Sequence, residues 1–166
     1  LRASGVRVFD RLEWEKTHAD PPRFEEVGDF DAYFTYEPTR TWIGAAIRHE
    51  LSRDDRHAYD GKTLAHAFAA DRFVAYRRLI VPALEAGKII FQDRSVSTSV
   101  VYQSISPSGY SVEELVSIPG NAFALRYPPT HLVITHLSPD EAAQRYGTRS
   151  EESRGVFADE AYLKSV

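Results

Sequence analysis

The sequence predicts an α/β fold: a mostly parallel sheet flanked by helices. Three observations carry this. Apolar runs of strand length recur along the chain, longer stretches with helical apolar spacing separate them, and capping residues mark the junctions. Val6 to Phe9 reads as a short first strand. Thr17 to Asp31, with Pro21, Pro22, Gly28 and several charges, reads as a surface insertion. Tyr33 to Glu37 is a second strand. Thr41 to Ser52 is a helix with Ile43, Ala46, Ile47 and Leu51 on one face. Leu64 to Ala86 is a long helix, with Leu64, Phe68, Phe73, Leu79, Ile80 and Leu84 at helical spacing and Gly87 at the C-cap position. Lys88 to Gln92 has the Ile-Ile-Phe core of a buried parallel strand. Ser95 to Ile105 is helical, and His131 to His136, with its Leu-Val-Ile-Thr run, is another buried strand. Ser138, Pro139 and Glu141 form the capping-box start of a further helix.

The 166 residues suffice for one domain spanning 1–166 with its own core. Hydrophobic content of 43% and charged content of 27% are ordinary for a globular protein. A net charge of −4 argues against a duplex nucleic-acid partner, though a local arginine pocket for a small anion remains open. The absence of cysteine excludes disulfides and thiolate metal sites and permits a reducing, cytoplasmic location. No apolar run approaches a membrane span, and no internal repeat is present. The six histidines show no metal-ligand spacing. Methionine is absent, even at position 1, which suggests a trimmed or partial chain.

Ligands of open parallel sheets bind beyond the carboxyl ends of the strands. That rule points to the residues after Glu37, Gln92 and His136. The segment after Gln92 is the most informative: Asp93-Arg94-Ser95, then Thr98, then Tyr102-Gln103. A carboxylate at a strand end can hold a water on magnesium or orient a proton, and the adjacent arginine can fork onto a phosphate. Thr98 and Tyr102, four apart, share a helix face. The plainer alternative is a strand-end ion pair followed by ordinary helix residues.

In sequence these residues resemble the thymidylate kinase family. That family has a strand ending in Asp-Arg-Tyr, a serine three residues on, and Ala-Tyr-Gln at a fixed offset. Here Asp93-Arg94-Ser95, Thr98 and Val101-Tyr102-Gln103 stand in the same register. Phe68-Ala69-Ala70-Asp71-Arg72 is similar to the family's Phe-Ala-Ala-Asp-Arg helix. Thr35-Tyr36-Glu37-Pro38, followed by Thr41, Ile43 and Gly44, resembles its Thr-Arg-Glu-Pro-Gly-Gly-Thr-x-Leu-Gly. Pro82 to Gly87, Pro119-Gly120-Asn121 and Pro128 to Ser138 extend the likeness over Thr35 to Leu163.

The resemblance implies a nucleoside-monophosphate kinase fold of the P-loop type, and transfer of the ATP γ-phosphoryl group to dTMP. Phe68 would stack on thymine and Arg72 would bond the base edge. Arg94 would hold the monophosphate. Asp93 would act near the attacking oxygens, through magnesium or as an orienter. Thr98 and Tyr102 would shape the sugar pocket, with Gln103 close by and Glu37 at the substrate loop. Catalysis would rest on positioning and charge stabilisation. The family also implies a homodimer, with no nucleic acid or membrane as partner.

Departures accompany the likeness. Ser95 replaces the family tyrosine and gives Asp-Arg-Ser, similar to the Glu-Arg-Ser of deoxynucleoside kinases. Tyr36 stands where the family has arginine. Arg40 is either its replacement on the phosphate or a plain helix-start arginine. No P-loop is present, because Gly61-Lys62-Thr63 lacks a preceding strand and has Arg56 where the first glycine belongs. Leu1 to Val6 resembles the end of the helix that follows a P-loop. The expectation is therefore a chain incomplete at both ends and inactive as it stands. Residues 145–154 fall at the family's mobile lid. Arg149 and Arg154 there would stabilise transferring charge and Arg145 would touch ATP, or the segment is a solvated turn. Two other functions compete: a deoxynucleoside kinase, and a non-catalytic nucleotide-binding module.

Overall fold

Three short strands, β1 (Val8–Asp10), β2 (Ala32–Tyr36) and β3 (Ile89–Asp93), pair in parallel in the order β1-β2-β3. The structure, a computed structural model, describes residues 5–52, 59–105, 110–138, 140, 141 and 144. The helices are α1 (Arg11–Trp14), α2 (Phe24–Val27), α3 (Trp42–Ala46), α4 (Gly61–Ala75), α5 (Val81–Glu85), α6 (Val96–Ile105), α7 (Val112–Ser117) and α8 (Pro119–Ala124). A π-helical turn, Ile47–Leu51, extends α3, and another, Tyr76–Ile80, joins α4 to α5. The expected α/β architecture with parallel strands is therefore present.

The long helix begins where its sequence signals. Asp60 caps α4 by accepting the Thr63 N–H at 2.6 Å, so Gly61-Lys62-Thr63 is the first turn of a helix. It ends at Gly87, whose φ of +72° places it in the left-handed region. Gly87 N–H donates to Leu84 O and Lys88 N–H to Ala83 O, both at 2.9 Å, which is the Schellman pattern. The Ser138–Glu141 capping box also forms, Glu141 N–H donating to Ser138 Oγ at 3.3 Å and Ser138 N–H to Glu141 Oε2 at 3.2 Å.

Ile90 of β3 joins two apolar clusters. One holds Tyr76, Ile80, Val81, Val96 and Phe123; the other holds Phe9, Val27, Tyr33, Leu79 and Ala83. Part of the Thr17 to Asp31 stretch belongs to this core rather than to the surface. Pro21, Pro22 and Val27 are buried, and Arg78 donates from Nε and Nη2 to Pro21 O at 3.0 and 2.7 Å.

Two strand expectations need correction. Lys88 to Gln92 is a strand but not a buried one: Ile89 is 53% and Phe91 43% exposed. Among the described residues β3 is an edge strand, and nothing covers the sheet face that carries Ile89, Phe91 and Phe34. His131 to His136 forms no strand, and Val133 and Ile134 are 85% and 80% exposed. A strand requires a neighbour to take its backbone hydrogen bonds, and no described strand lies against this run.

Candidate functional site

The carboxyl ends of β2 and β3 lie side by side. Tyr36 registers with Asp93, and the Glu37 N–H donates to Asp93 O at 3.1 Å. The two sequence-selected segments, Glu37 to Thr41 and Asp93 to Ser95, thus leave the sheet together.

Glu37 turns into the protein. Arg72 of α4 donates to its Oε2 from Nε at 2.9 Å and from Nη2 at 2.6 Å, and Gln92 Nε2 donates to its Oε1 at 2.8 Å. Arg72 Nη2 also reaches Ser99 Oγ at 3.0 Å, and Nη1 donates to Asn121 Oδ1. Asn121 is held in turn by its own bond to Leu115 O at 2.7 Å. Every member of this network except Gln92 is buried. Burial pushes the Glu37 carboxyl up to about 7, against the downward pull of the Arg72 charge and hydrogen bonds.

The loop after Glu37 is stapled from two further sides. Asp71 accepts the Thr39 N–H at 2.8 Å and the Thr39 hydroxyl at 2.7 Å. Burial raises the Asp71 carboxyl, opposed by the bonds from Thr39. Arg48 Nε donates to Pro38 O and Thr39 O, both at 3.0 Å. Gly44 lies so close to this loop that a Cβ there would come within 2.2 Å of Thr39 Oγ1.

Asp93 and Arg94 are exposed. Arg94 has φ of +68°, a left-handed conformation that costs a non-glycine residue about 1–2 kcal/mol. Such conformations concentrate at functional turns, and this one carries the chain from β3 into α6. Its side chain is no part of the buried network around Arg72.

The remaining candidates lie around these ends. Phe68 sits one turn before Arg72 on α4 and is half-buried. Thr98 and Tyr102 are half-buried on α6, while Ser99 and Gln103 occupy its buried face. Gln103 Oε1 is buried without a hydrogen-bond partner among the described residues. Arg40 is exposed, its backbone anchored within the loop. Arg145, Arg149 and Arg154 lie outside the described residues. Among the described residues no three His, Cys, Asp or Glu side chains cluster as a metal site. No described helix is long and apolar enough to cross a membrane.

Asp71, Ser99, Asn121 and Arg48 were not singled out as site residues by the sequence. One signal was available. On α4 the i, i+4 row Leu64, Phe68, Arg72 places a charge on the core-facing stripe, and such a charge requires partners. Nothing local marks Ser99 or Asn121, because the pairings run over 27 and 49 residues.

Comparison with known proteins gives the family. The sequence profile of the thymidylate kinase family matches residues 22–166. The chain is similar to the thymidylate kinase of Caldicellulosiruptor saccharolyticus, 37% identical over 111 residues, covering 67% of this chain and 52% of that protein. It is 32% identical to that of Exiguobacterium sibiricum over 137 residues, covering 82% and 64% of the two chains. Against that of Geobacillus thermodenitrificans it is 37% identical over 117 residues, covering 70% and 51%. The chain thus spans roughly half to two thirds of the length of these relatives. With the profile covering most of the sequence and the motif residues gathered at two adjacent strand ends, the chain belongs to the thymidylate kinase family.

Proposed function

We propose that this chain supplies the acceptor-nucleotide half of a kinase that moves a phosphoryl group from ATP to dTMP, giving dTDP and ADP. The observation that supports it most is the Arg72–Glu37 pair braced by Ser99 and Asn121. Those contacts hold Arg72, which this reading turns to the base, while Arg94 is exposed just after β3 at the sheet's carboxyl end. Four of the five Arg72 N–H groups go to Glu37, Ser99 and Asn121. The fifth, on Nη1, is the donor this reading gives to a base carbonyl. Phe68 offers an aromatic face to thymine, and Thr98, Tyr102 and Gln103 border the sugar. Gln103 Oε1, buried and without a partner among the described residues, suits a ligand donor. Arg94 and Arg40 supply charge for the monophosphate.

Magnesium binds nucleotide kinases through one or two carboxylates plus substrate phosphates, so the single exposed carboxylate of Asp93 fits it. When bound, the ion would neutralise charge on the phosphates. ATP itself would require phosphate-cradling elements that the described residues do not include. Arg145, Arg149 and Arg154 remain assigned to the lid, and pairing into a homodimer belongs to the same reading.

Acceptor choice tests the proposal. The purified protein is expected to bind dTMP, and a version that also carries a phosphate-cradling loop, given ATP and magnesium, is expected to phosphorylate dTMP and not thymidine. Phosphorylation of thymidine alone would favour a deoxynucleoside kinase. Binding of dTMP with no turnover even in that version would leave a nucleotide-binding module.

A further inference from the structure

The acceptor loop has an anchor outside the motifs that define the family. Glu15 lies at the end of α1, and its side chain is wholly buried. A buried carboxylate must be surrounded by donors. Four surround this one: Arg11 Nε at 2.7 Å, the Tyr36 hydroxyl, the Arg40 backbone N–H at 3.0 Å and the Thr41 hydroxyl at 3.3 Å. Three of the four belong to the segment leaving β2. The fourth, Arg11, is 1% exposed and is the charge partner. Its Nε makes the bond to Glu15, and its Nη2 has no hydrogen-bond partner among the described residues.

We propose that Glu15 is a positioning residue for phosphate recognition, fixing the backbone from which Arg40 projects toward the acceptor's phosphate. This rests on the function proposed above. The polar backbone groups of the loop are taken one by one. Pro38 O and Thr39 O accept from Arg48, Thr39 N–H donates to Asp71, and Arg40 N–H donates to Glu15. With the main chain held, the exposed Arg40 side chain is the part of the loop left for a ligand. Tyr36 fits the same arrangement. It is buried and spends its hydroxyl on Glu15 instead of offering a cation at that position. Burial, then the bond to Glu15, raises the phenol, which keeps it a donor. Recognition of the phosphate end therefore passes to Arg40, and the placement of Arg40 passes to a carboxylate from the N-terminal β1–α1 unit.

The test compares dTMP with thymidine, which shares the base and sugar but lacks the phosphate. Both are titrated calorimetrically into the wild-type protein and into Glu15→Gln, Arg40→Ala and the double variant. Glu15→Gln is expected to weaken dTMP about tenfold and leave thymidine unchanged. In the Arg40→Ala background the same change should add nothing, because the two act on one contact. Tyr36→Phe keeps the Arg11–Glu15 pair and serves if Glu15→Gln fails to fold; it too should weaken dTMP selectively. Equal weakening of both ligands, full additivity with Arg40→Ala, or unchanged dTMP affinity overturns the inference while leaving the proposed function standing. A wild-type protein that binds neither ligand overturns the proposed function and this inference with it.

Discussion

Arg72 and Glu37 form a buried ion pair in which two arginine nitrogens converge on one carboxylate oxygen, at 2.9 and 2.6 Å, with side chains only 1% and 4% exposed. Removing one partner of such a pair strands the other in a low-dielectric interior. Arg72→Leu should therefore destabilise the fold by about 3–5 kcal/mol, read by urea unfolding. The double variant Arg72→Leu with Glu37→Leu should recover much of that loss, since neither charge is then buried alone. A double variant as unstable as the sum of its parts would show no coupling between the two charges and contradict this account of the pair.

The same carboxyl gives a pH signature. Its ordinary value is 4.5 and burial carries it to about 7, so between these values the folded state binds more protons than the unfolded state. Its stabilising contribution is thus fully present below 4.5 and is lost as pH rises toward 7. Relative to Glu37→Gln, which does not titrate, the wild type should lose about 3 kcal/mol between pH 4.5 and 7 and change little above. Unfolding midpoints of both proteins at pH 5, 6, 7 and 8 check this. A difference that widens in favour of the wild type with rising pH contradicts it.

Two glycines should respond differently to alanine. A Cβ on Gly120 would lie 1.9 Å from Ala69 O and 2.6 Å from Ala69 C, so α8 could not keep its approach to α4. Gly120→Ala should cost at least about 1–3 kcal/mol and displace Asn121 from Arg72. Gly87 has open space around its Cβ position, and only its φ of +72° opposes a side chain. Gly87→Ala should cost only about 1–2 kcal/mol. Thermal melts rank them, and an equal or reversed order would remove the close-packing argument.

The sequence was most legible where local chemistry decides structure. The long helix, its stop at Gly87 and the Ser138–Glu141 cap all rest on contacts within a few residues. The strand-end rule for parallel sheets pointed to the residues after Glu37 and Gln92, and the structure shows those two strand ends side by side. Apolar content misled where neighbours matter. Leu132 to Ile134 is as apolar as a buried strand, yet no described strand pairs with it. Ile89 and Phe91 lie on a sheet face that no described element covers. Glu15 escaped notice because α1 has four residues, too few for a period, and its partners other than Arg11 lie 21 to 26 residues away. Tyr36 looked like the loss of an arginine; its role emerges only beside Glu15.

Titration of dTMP into the protein and its Phe68→Ala and Arg94→Ala variants, with thymidine alongside, tests the central claim most directly. The account predicts saturable dTMP binding by the wild type. Arg94→Ala should weaken dTMP by roughly 1.5–3 kcal/mol without affecting thymidine, while Phe68→Ala should weaken both ligands. No binding by the wild type, or dTMP affinity unchanged in both variants, would contradict it.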